Sequence, residues 1–343
     1  MQIIRTQANI MSDFLKTALV IILVSPTITF AQRPGEVVEI GPAKVGTAGA
    51  QFLQIGISAR AMGMAEAFVA VTDDASSVFY NPAGMTSVLG KQILVSHSKW
   101  FADINHYFGA IVMPVKNLGS IGFSFIVLAT DDMAVRVPFI GETGEYFRAS
   151  EAALGLSYAK SLTDKFSVGG TVKWINEEYY NYNANVIAAD IGTLFNTGYR
   201  NMKIGMSITN FGPDLHFSEP STGFVGQNYP LPIHFKFGIA TNIYKTEQHD
   251  LTVALDINQP NDNLRRENLG FEYTWNDLLS LRAGFKTDYE SDELESDDNE
   301  SNEYSFGAGI DGPIGGYDGT IDVSWSNMNH LGSSTRLTFG FTF

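Results

Sequence analysis

The 343-residue chain contains no cysteine, so neither a disulfide framework nor a thiolate metal centre is available to it. Positive charge is scarce. Twenty-two Lys and Arg stand against 37 Asp and Glu, a net charge of −15 that offers no basic face to a phosphate backbone, and no nucleic-acid partner is expected. The six histidines (His97, His106, His216, His234, His249, His330) are scattered without metal-ligand spacing, and neither a Gly-x-Ser-x-Gly elbow nor a phosphate-binding loop occurs. The expectation is therefore a chain with no catalytic residue, no metal and no cofactor, and not an enzyme. Long apolar runs are also missing. The densest one, residues 18–24, falls far short of the ~20 residues a membrane-crossing helix needs. Arg5 and Lys16 precede it and Thr29-Phe30-Ala31 offers a small-x-small cleavage site after it, so residues 1–31 read as a signal peptide.

What is present falls into three parts. Residues 32–45, with Pro34, Gly35, Gly41 and Pro42, read as an extended lead-in, and residues 46–91 are crowded with small side chains. From Gln92 to Phe343 the period changes to two, and runs of about ten residues alternate apolar with small or polar side chains. Phe235, Phe237 and Ile239 oppose Lys236, Gly238 and Ala240. In the same way Leu255 opposes Asp256, Phe271 opposes Glu272, Leu281 and Phe285 oppose Arg282 and Lys286, and Val323 opposes Asp322. A sandwich turns the apolar set inward, whereas a membrane barrel turns it outward to lipid. Periodicity alone does not choose between them.

The connections do. Fourteen strands are expected at 92–100, 105–114, 119–129, 150–161, 166–179, 184–196, 202–210, 232–244, 249–259, 266–275, 279–288, 303–311, 320–328 and 335–343. The tight links 115–118, 162–165, 245–248 and 276–278 each follow an even-numbered strand and the long links 130–149, 211–231 and 289–302 each follow an odd one, a tendency to which the short links 101–104 and 180–183 on the long-loop rim are exceptions. Outer-membrane barrels are built this way, with short turns periplasmic and long loops outside. The fold class is thus all-β: a 14-stranded antiparallel transmembrane barrel in the cell outer membrane, with an N-terminal plug containing a short helix and with both termini periplasmic. Segment 133–139 is assigned to an outer loop. Trp100, Tyr107, Tyr158, Trp174, Tyr244, Trp275 and Trp325 suit interfacial girdles in contact with outer-membrane lipid. Phe339, Phe341 and Phe343 alternate in a strand that stops on the aromatic, and such a strand resembles the signal read by the barrel assembly machinery.

The block "SARAMGMAEAFVAVTDDASSVFYNPAGM", residues 58–85, resembles the N-terminal block of the PorV/PorQ family within the wider FadL-like group of outer-membrane barrels. The resemblance implies a segment folded into the lumen as a plug or hatch. It implies one of two activities: a part in type IX secretion, in which proteins bearing C-terminal sorting domains are bound or shuttled at the cell surface, or a FadL-like channel for hydrophobic small molecules. The plug motif comprises Arg60, Asp73, Asp74, Asn81, Pro82 and Gly84. Asp73 is placed to cap a short helix ending before Asn81, since Pro82 disfavours helix in the residue ahead of it. A guanidinium in a lumen requires carboxylates, and Arg60 has Asp256, Glu272 and Asp322 on the wall and Glu66, Asp73 and Asp74 locally. Lys236, Arg282 and Lys286 make the lumen mixed in sign. Phe211, Phe217, Phe224 and Tyr229 mark an aromatic outer loop suited to recognition, folding inward as a lid, or touching lipid. The acidic loop 288–303 reads as a solvated surface segment, with calcium binding as the alternative.

Overall fold

The computed structural model describes residues 46–101, 104–139, 141–219, 224–288, 302–314, 316–328 and 332–343. The signal peptide, the lead-in and nearly all of the acidic loop lie outside them. No helix among the described residues is long and apolar enough to cross a membrane. The chain builds a wall of strands instead.

Among the described residues eighteen strands follow one another: β1 (Gln92–Lys99), β2 (Asn105–Val115), β3 (Gly119–Ala129), β4 (Met133–Val137), β5 (Gly141–Phe147), β6 (Ala149–Ser161), β7 (Phe166–Tyr179), β8 (Tyr182–Asn196), β9 (Lys203–Phe211), β10 (Leu215–Glu219), β11 (Phe224–Tyr229), β12 (His234–Lys245), β13 (His249–Pro260), β14 (Arg266–Trp275), β15 (Leu279–Asp288), β16 (Glu303–Ile314), β17 (Tyr317–Asn327) and β18 (Ser333–Thr342). Sixteen belong to one antiparallel sheet, in which β10 and β11 form an appended hairpin and the remaining fourteen close into a ring. Closure runs through β1 and β18, paired from Gln92↔Thr342 to Lys99↔Thr335. The strands β4 and β5 form a separate hairpin within the first long loop, so segment 133–139 stands outside the ring.

The direction of the alternating faces decides between sandwich and barrel. Leu154, Leu156 and Tyr158 on β6 are 53, 54 and 44% exposed, while Ala153, Ser157 and Ala159 between them are buried. The apolar set therefore points out of the ring, where only lipid makes such exposure favourable. Tyr107, Tyr158, Trp174, Tyr244, Trp275 and Trp325 share that outer surface, whereas Trp100 lines an inner cavity. Phe343 exchanges two backbone hydrogen bonds with Lys91 and sets its ring edge-on to Tyr317 at 4.7 Å. Short turns use the chemistry their geometry demands: in the link 276–278, Asn276 and Asp277 both take left-handed backbone (φ 52° and 51°) within a turn closed by the Leu278 amide donating to Trp275 O at 3.0 Å.

Residues 46–91 carry no wall strand and fill the ring. A 3-10 turn at Gln51–Gln54 leads to α1 (Ala59–Gly63), then to α2 (Ser77–Tyr80) and a second 3-10 stretch at Pro82–Ser87 that delivers the chain to β1. Ile57, Met64, Phe68, Tyr80 and Met85 are all fully buried. Such a segment has little secondary structure of its own, so its buried backbone must find partners elsewhere.

One sequence reading is corrected here. Asp73 does not cap the short helix. Asp74 organises that turn, its carbonyl accepting from the Ser77 amide and its Oδ1 from the Ser76 amide at 2.8 Å, which leaves Asp73 free to turn toward Arg60. The first described residues of the segment sit at the long-loop rim. The Gly49 amide donates to Pro230 O at 3.0 Å and Gln51 Nε2 to Asp262 Oδ2 at 2.6 Å.

Candidate functional site

The inward face of the wall is built to receive an irregular backbone. Thr338 Oγ1 accepts from the Ala59 amide and Ser305 Oγ from the Ala65 amide, each at 2.9 Å. Asp256 Oδ2 accepts from both Phe68 N and Val69 N, at 2.8 and 2.9 Å. From the other side Ser207 Oγ donates to Tyr80 O at 3.0 Å. Each wall residue does for the plug what a neighbouring strand does for a strand. Gly238, facing Asp256, leaves room for that carboxylate, since a Cβ there would lie 2.1 Å from its Oδ1. Replacing Asp256 by alanine strips an acceptor from two buried amides, at roughly 1–3 kcal/mol each. Asp256→Asn keeps a carbonyl oxygen in place and is expected to lose clearly less, a ranking that denaturant unfolding of the detergent-solubilised barrel measures.

Elsewhere the plug lies directly on wall backbone. At Gly284 an added Cβ would meet Ala65 N at 2.3 Å and Met64 C at 2.4 Å; at Gly169 it would meet Pro82 C at 2.5 Å. Gly63 of α1 and Gly307 of β16 face each other less tightly, an added Cβ on either lying 3.0 or 3.1 Å from the other's Cα. Asn81, fully buried, joins three pieces: its Nδ2 donates to Val69 O (2.9 Å) and to Thr193 O on β8 (3.0 Å), and its Oδ1 accepts from Ala83 N (3.2 Å). Pro82 opens the 3-10 stretch where its missing amide is not needed, and Gly84 passes so close to Thr72 that a Cβ would stand 2.3 Å from its Oγ1.

Arg60 is the electrostatic centre. Its Nε and Nη2 grip Glu272 Oε1 and Oε2 side by side, both at 2.8 Å, while Nη1 reaches Asp73 Oδ1 at 2.5 Å and Asp74 Oδ2 at 3.3 Å. Glu272 also accepts from Arg282 Nε at 2.7 Å, and Arg282 Nη1 continues to Asp322 Oδ1 at 2.5 Å. One chain of charge thus ties the plug to β14, β15 and β17. Burial disfavours the Arg60 charge, but Asp73 and Glu272 more than offset this and hold its pKa well above the ordinary value. Burial raises Asp74 despite the opposing pull of Arg60. Asp256 is absent from this chain because it serves the plug backbone. Lys236 lies over the Phe79 and Tyr80 rings at 5.8 and 5.6 Å.

Glu66 pairs with Lys286 at 3.1 Å, and Lys286 with Glu303 at 3.4 Å. Burial pushes Glu66 up, yet Lys286 and Lys236 outweigh it and its pKa falls below the ordinary 4.5. A carboxyl held lower when folded than when unfolded stabilises above its unfolded pKa and loses that contribution as pH falls through the folded value. Unfolding measured from pH 7 down to pH 3, approximate working limits, is expected to show a stability loss below about pH 4.5 that is shallower in Glu66→Gln.

Further buried pairs were not singled out in the sequence. Arg336, only 2% exposed, donates through Nη2 to His106 Nδ1 at 3.0 Å, and Lys173 pairs with Asp190 at 2.9 Å. Arg336 shares the inward parity of Thr338 and Gly340, a signal that was there to use. The aromatic outer loop divides. Phe211 is 66% exposed, while Phe217 and Tyr229 fold inward beside each other, ring centroids 5.9 Å apart, against the start of the plug. The side chain of Phe224 lies outside the described residues.

Cavities remain at both ends. One of about 620 Å³ at the short-turn end is lined by Asp73, Asp74, Asp277, Asp311 and Asp318; one of about 670 Å³ opens at the long-loop end, and the two share no lining residue. Between them lie the plug and the Arg60 chain.

The family model described as type IX secretion system protein PorV matches residues 41–261, well over half of the chain. No curated protein matches the sequence. Among solved structures the chain is similar to the CymD monoaromatic hydrocarbon channel (12% identity, 84% of this chain and 98% of that one, TM-score 0.57). It is also similar to the Pseudomonas putida toluene transporter TodX (12%, 83% and 97%, TM-score 0.53) and to a Pseudomonas aeruginosa FadL homologue (13%, 84% and 98%, TM-score 0.51). At these identities the structural likeness speaks for the fold alone.

Proposed function

The chain belongs to the family of type IX secretion system protein PorV, an outer-membrane barrel family, and from that premise we propose that it binds exported proteins at the cell surface as a component of type IX secretion. The long loops face outward in this reading and the short turns face the periplasm. The partner is a secreted protein carrying a C-terminal sorting domain, and no bond is made or broken in the exchange.

The observation that carries this reading over passage of hydrophobic solutes is the polar filling of the lumen. A route for hydrocarbons needs a continuous apolar lining beside the plug. Here Arg60, Glu272, Arg282 and Asp322 form a charged chain across that space, and wall hydroxyls and carboxylates occupy the plug's amides. Charged groups in such a position make an apolar solute pay their desolvation. A FadL-like channel is the alternative, favoured by the likeness of fold.

Affinity purification of the full chain from its native outer membrane separates the two. Recovery of a sorting-domain protein, lost when the loop faces around Phe211 are altered, supports the secretion reading. An intact barrel that recovers none, and instead speeds entry of a hydrophobic probe into proteoliposomes, supports the channel.

A further inference from the structure

The long-loop cavity contains an arrangement that the surface-binding reading does not use. Glu151 on β6 and Glu177 on β7 are direct cross-strand partners, both facing inward, and like charges placed opposite each other in a ladder repel. Neither carboxylate has an ion-pair partner among the described residues. Glu177 is 1% exposed and lines the cavity, and its Oε1 has no hydrogen-bond partner there. Ionising both carboxyls here is costly, and a cation entering the cavity from outside would relieve that cost.

The surroundings specify the kind of cation. Tyr179, whose hydroxyl donates to Glu151, has its ring 5.7 Å from that of Phe217, and Phe217 in turn lies edge-on to Tyr229 at 5.9 Å; all three rings line the same cavity. Aromatic faces attract diffuse organic cations through the ring quadrupole. At about 670 Å³ the space is of the size of small-molecule sites, and it opens toward the long loops. The hairpin β10–β11, which brings Phe217 and Tyr229 to the cavity, is held by a bridge between Ser218 and Asn183 of β8 and by fully buried Leu215. We infer that this cavity binds an organic ammonium group, with Glu177 and Glu151 balancing its charge and Tyr179, Phe217 and Tyr229 enclosing its apolar face.

The test uses the full chain in a non-ionic maltoside detergent, with calorimetric titration of choline, n-butylamine, 3,3-dimethylbutan-1-ol and calcium chloride. Choline and its neutral isostere have nearly the same shape, so their difference reads the charge. Choline or butylamine is expected to bind saturably, the alcohol at least tenfold more weakly, and the ranking of the two amines tells a quaternary from a primary ammonium. Glu177→Gln, which keeps the side-chain shape, and Phe217→Ala are each expected to weaken the cation about tenfold or more while the barrel retains its heat-modifiable gel migration. Equal binding of the alcohol would reduce the site to an apolar pocket and overturn the inference. Binding of calcium in preference to both amines, lost in Glu177→Gln but kept in Phe217→Ala, would overturn it in favour of a metal site. No saturable binding of either amine would overturn it outright.

Discussion

Alanine at Gly169 is expected to keep the plug from seating, while alanine at the adjacent Gly170 is expected to be tolerated. Both glycines lie on β7, but they face opposite sides of the wall. A Cβ on Gly169 would stand 2.5 Å from Pro82 C and 2.6 Å from both Ala83 N and Pro82 O, all backbone atoms of the plug. On Gly170 the nearest atom is Asp190 O, at an ordinary 3.4 Å. The plug cannot retreat freely at this point. Asn81, immediately before Pro82, is bonded to Val69 and Thr193 and lies against Gly192, where a Cβ would itself be 2.1 Å from Asn81 Oδ1. Overpacking of well-filled interiors costs roughly 1–3 kcal/mol, occasionally more, and here the yielding atoms are backbone. Any change that alanine makes to strand preference is common to both variants, so their difference isolates the contact. Chymotrypsin cleavage at Phe68 or Phe79 reports plug release, and gel migration reports the barrel. If the two variants are cut alike, the close docking of β7 on the plug is wrong.

The wall was legible because its physics is local. A period of two is written residue by residue, and each of the fourteen expected strands coincides closely with a ring strand. Lys236, Asp256, Glu272, Arg282, Lys286 and Asp322 face inward as their parity requires. The plug was legible in existence and not in path. Six carboxylates were open to Arg60, and the choice of Glu272 with Asp73 and Asp74 depends on where an irregular chain crosses the lumen, which no periodicity encodes. The same limit explains the exchange of roles between Asp73 and Asp74: either can reach back to a helical turn, and the competing attraction of Arg60 assigns them. The place of Gly49 and Gln51 at the long-loop rim follows from their contacts with loops distant in sequence. Glu151 and Glu177 carry no mark in the sequence, since alternation within a strand does not say which residues of two strands stand opposite each other. Only the β6–β7 register shows them opposite each other and turned inward.

Removing the Arg60 guanidinium is expected to detach the plug from a barrel that stays closed. Arg60→Ala leaves Asp73 and Asp74 facing an acidic cavity without their cation, while Glu272 keeps Arg282. Deleting one partner of a buried ion pair costs roughly 3–5 kcal/mol, because the remaining charge loses its compensation. Arg60 is 19% exposed in its side chain, so solvent screening places the expected loss toward the lower part of that range. The ring of fourteen strands depends on none of these contacts, since its ladders close through β1 and β18 independently of the plug. Loss should therefore appear as chymotrypsin access to Phe68 and Phe79, and as ion conductance across a planar bilayer, with gel migration unchanged. Lysine is not an adequate substitute. One ammonium cannot span both oxygens of Glu272 and still reach Asp73, so Arg60→Lys should fall between the wild type and alanine. A cycle of Arg60→Ala, Glu272→Ala and the double variant measures the pair itself. The double variant should lose less than the sum of the singles, since each single strands a charge that the double removes. Strict additivity, or a plug in Arg60→Ala as resistant to protease as the wild type, would show that backbone docking on the wall glycines holds the plug and that the charged chain only decorates it.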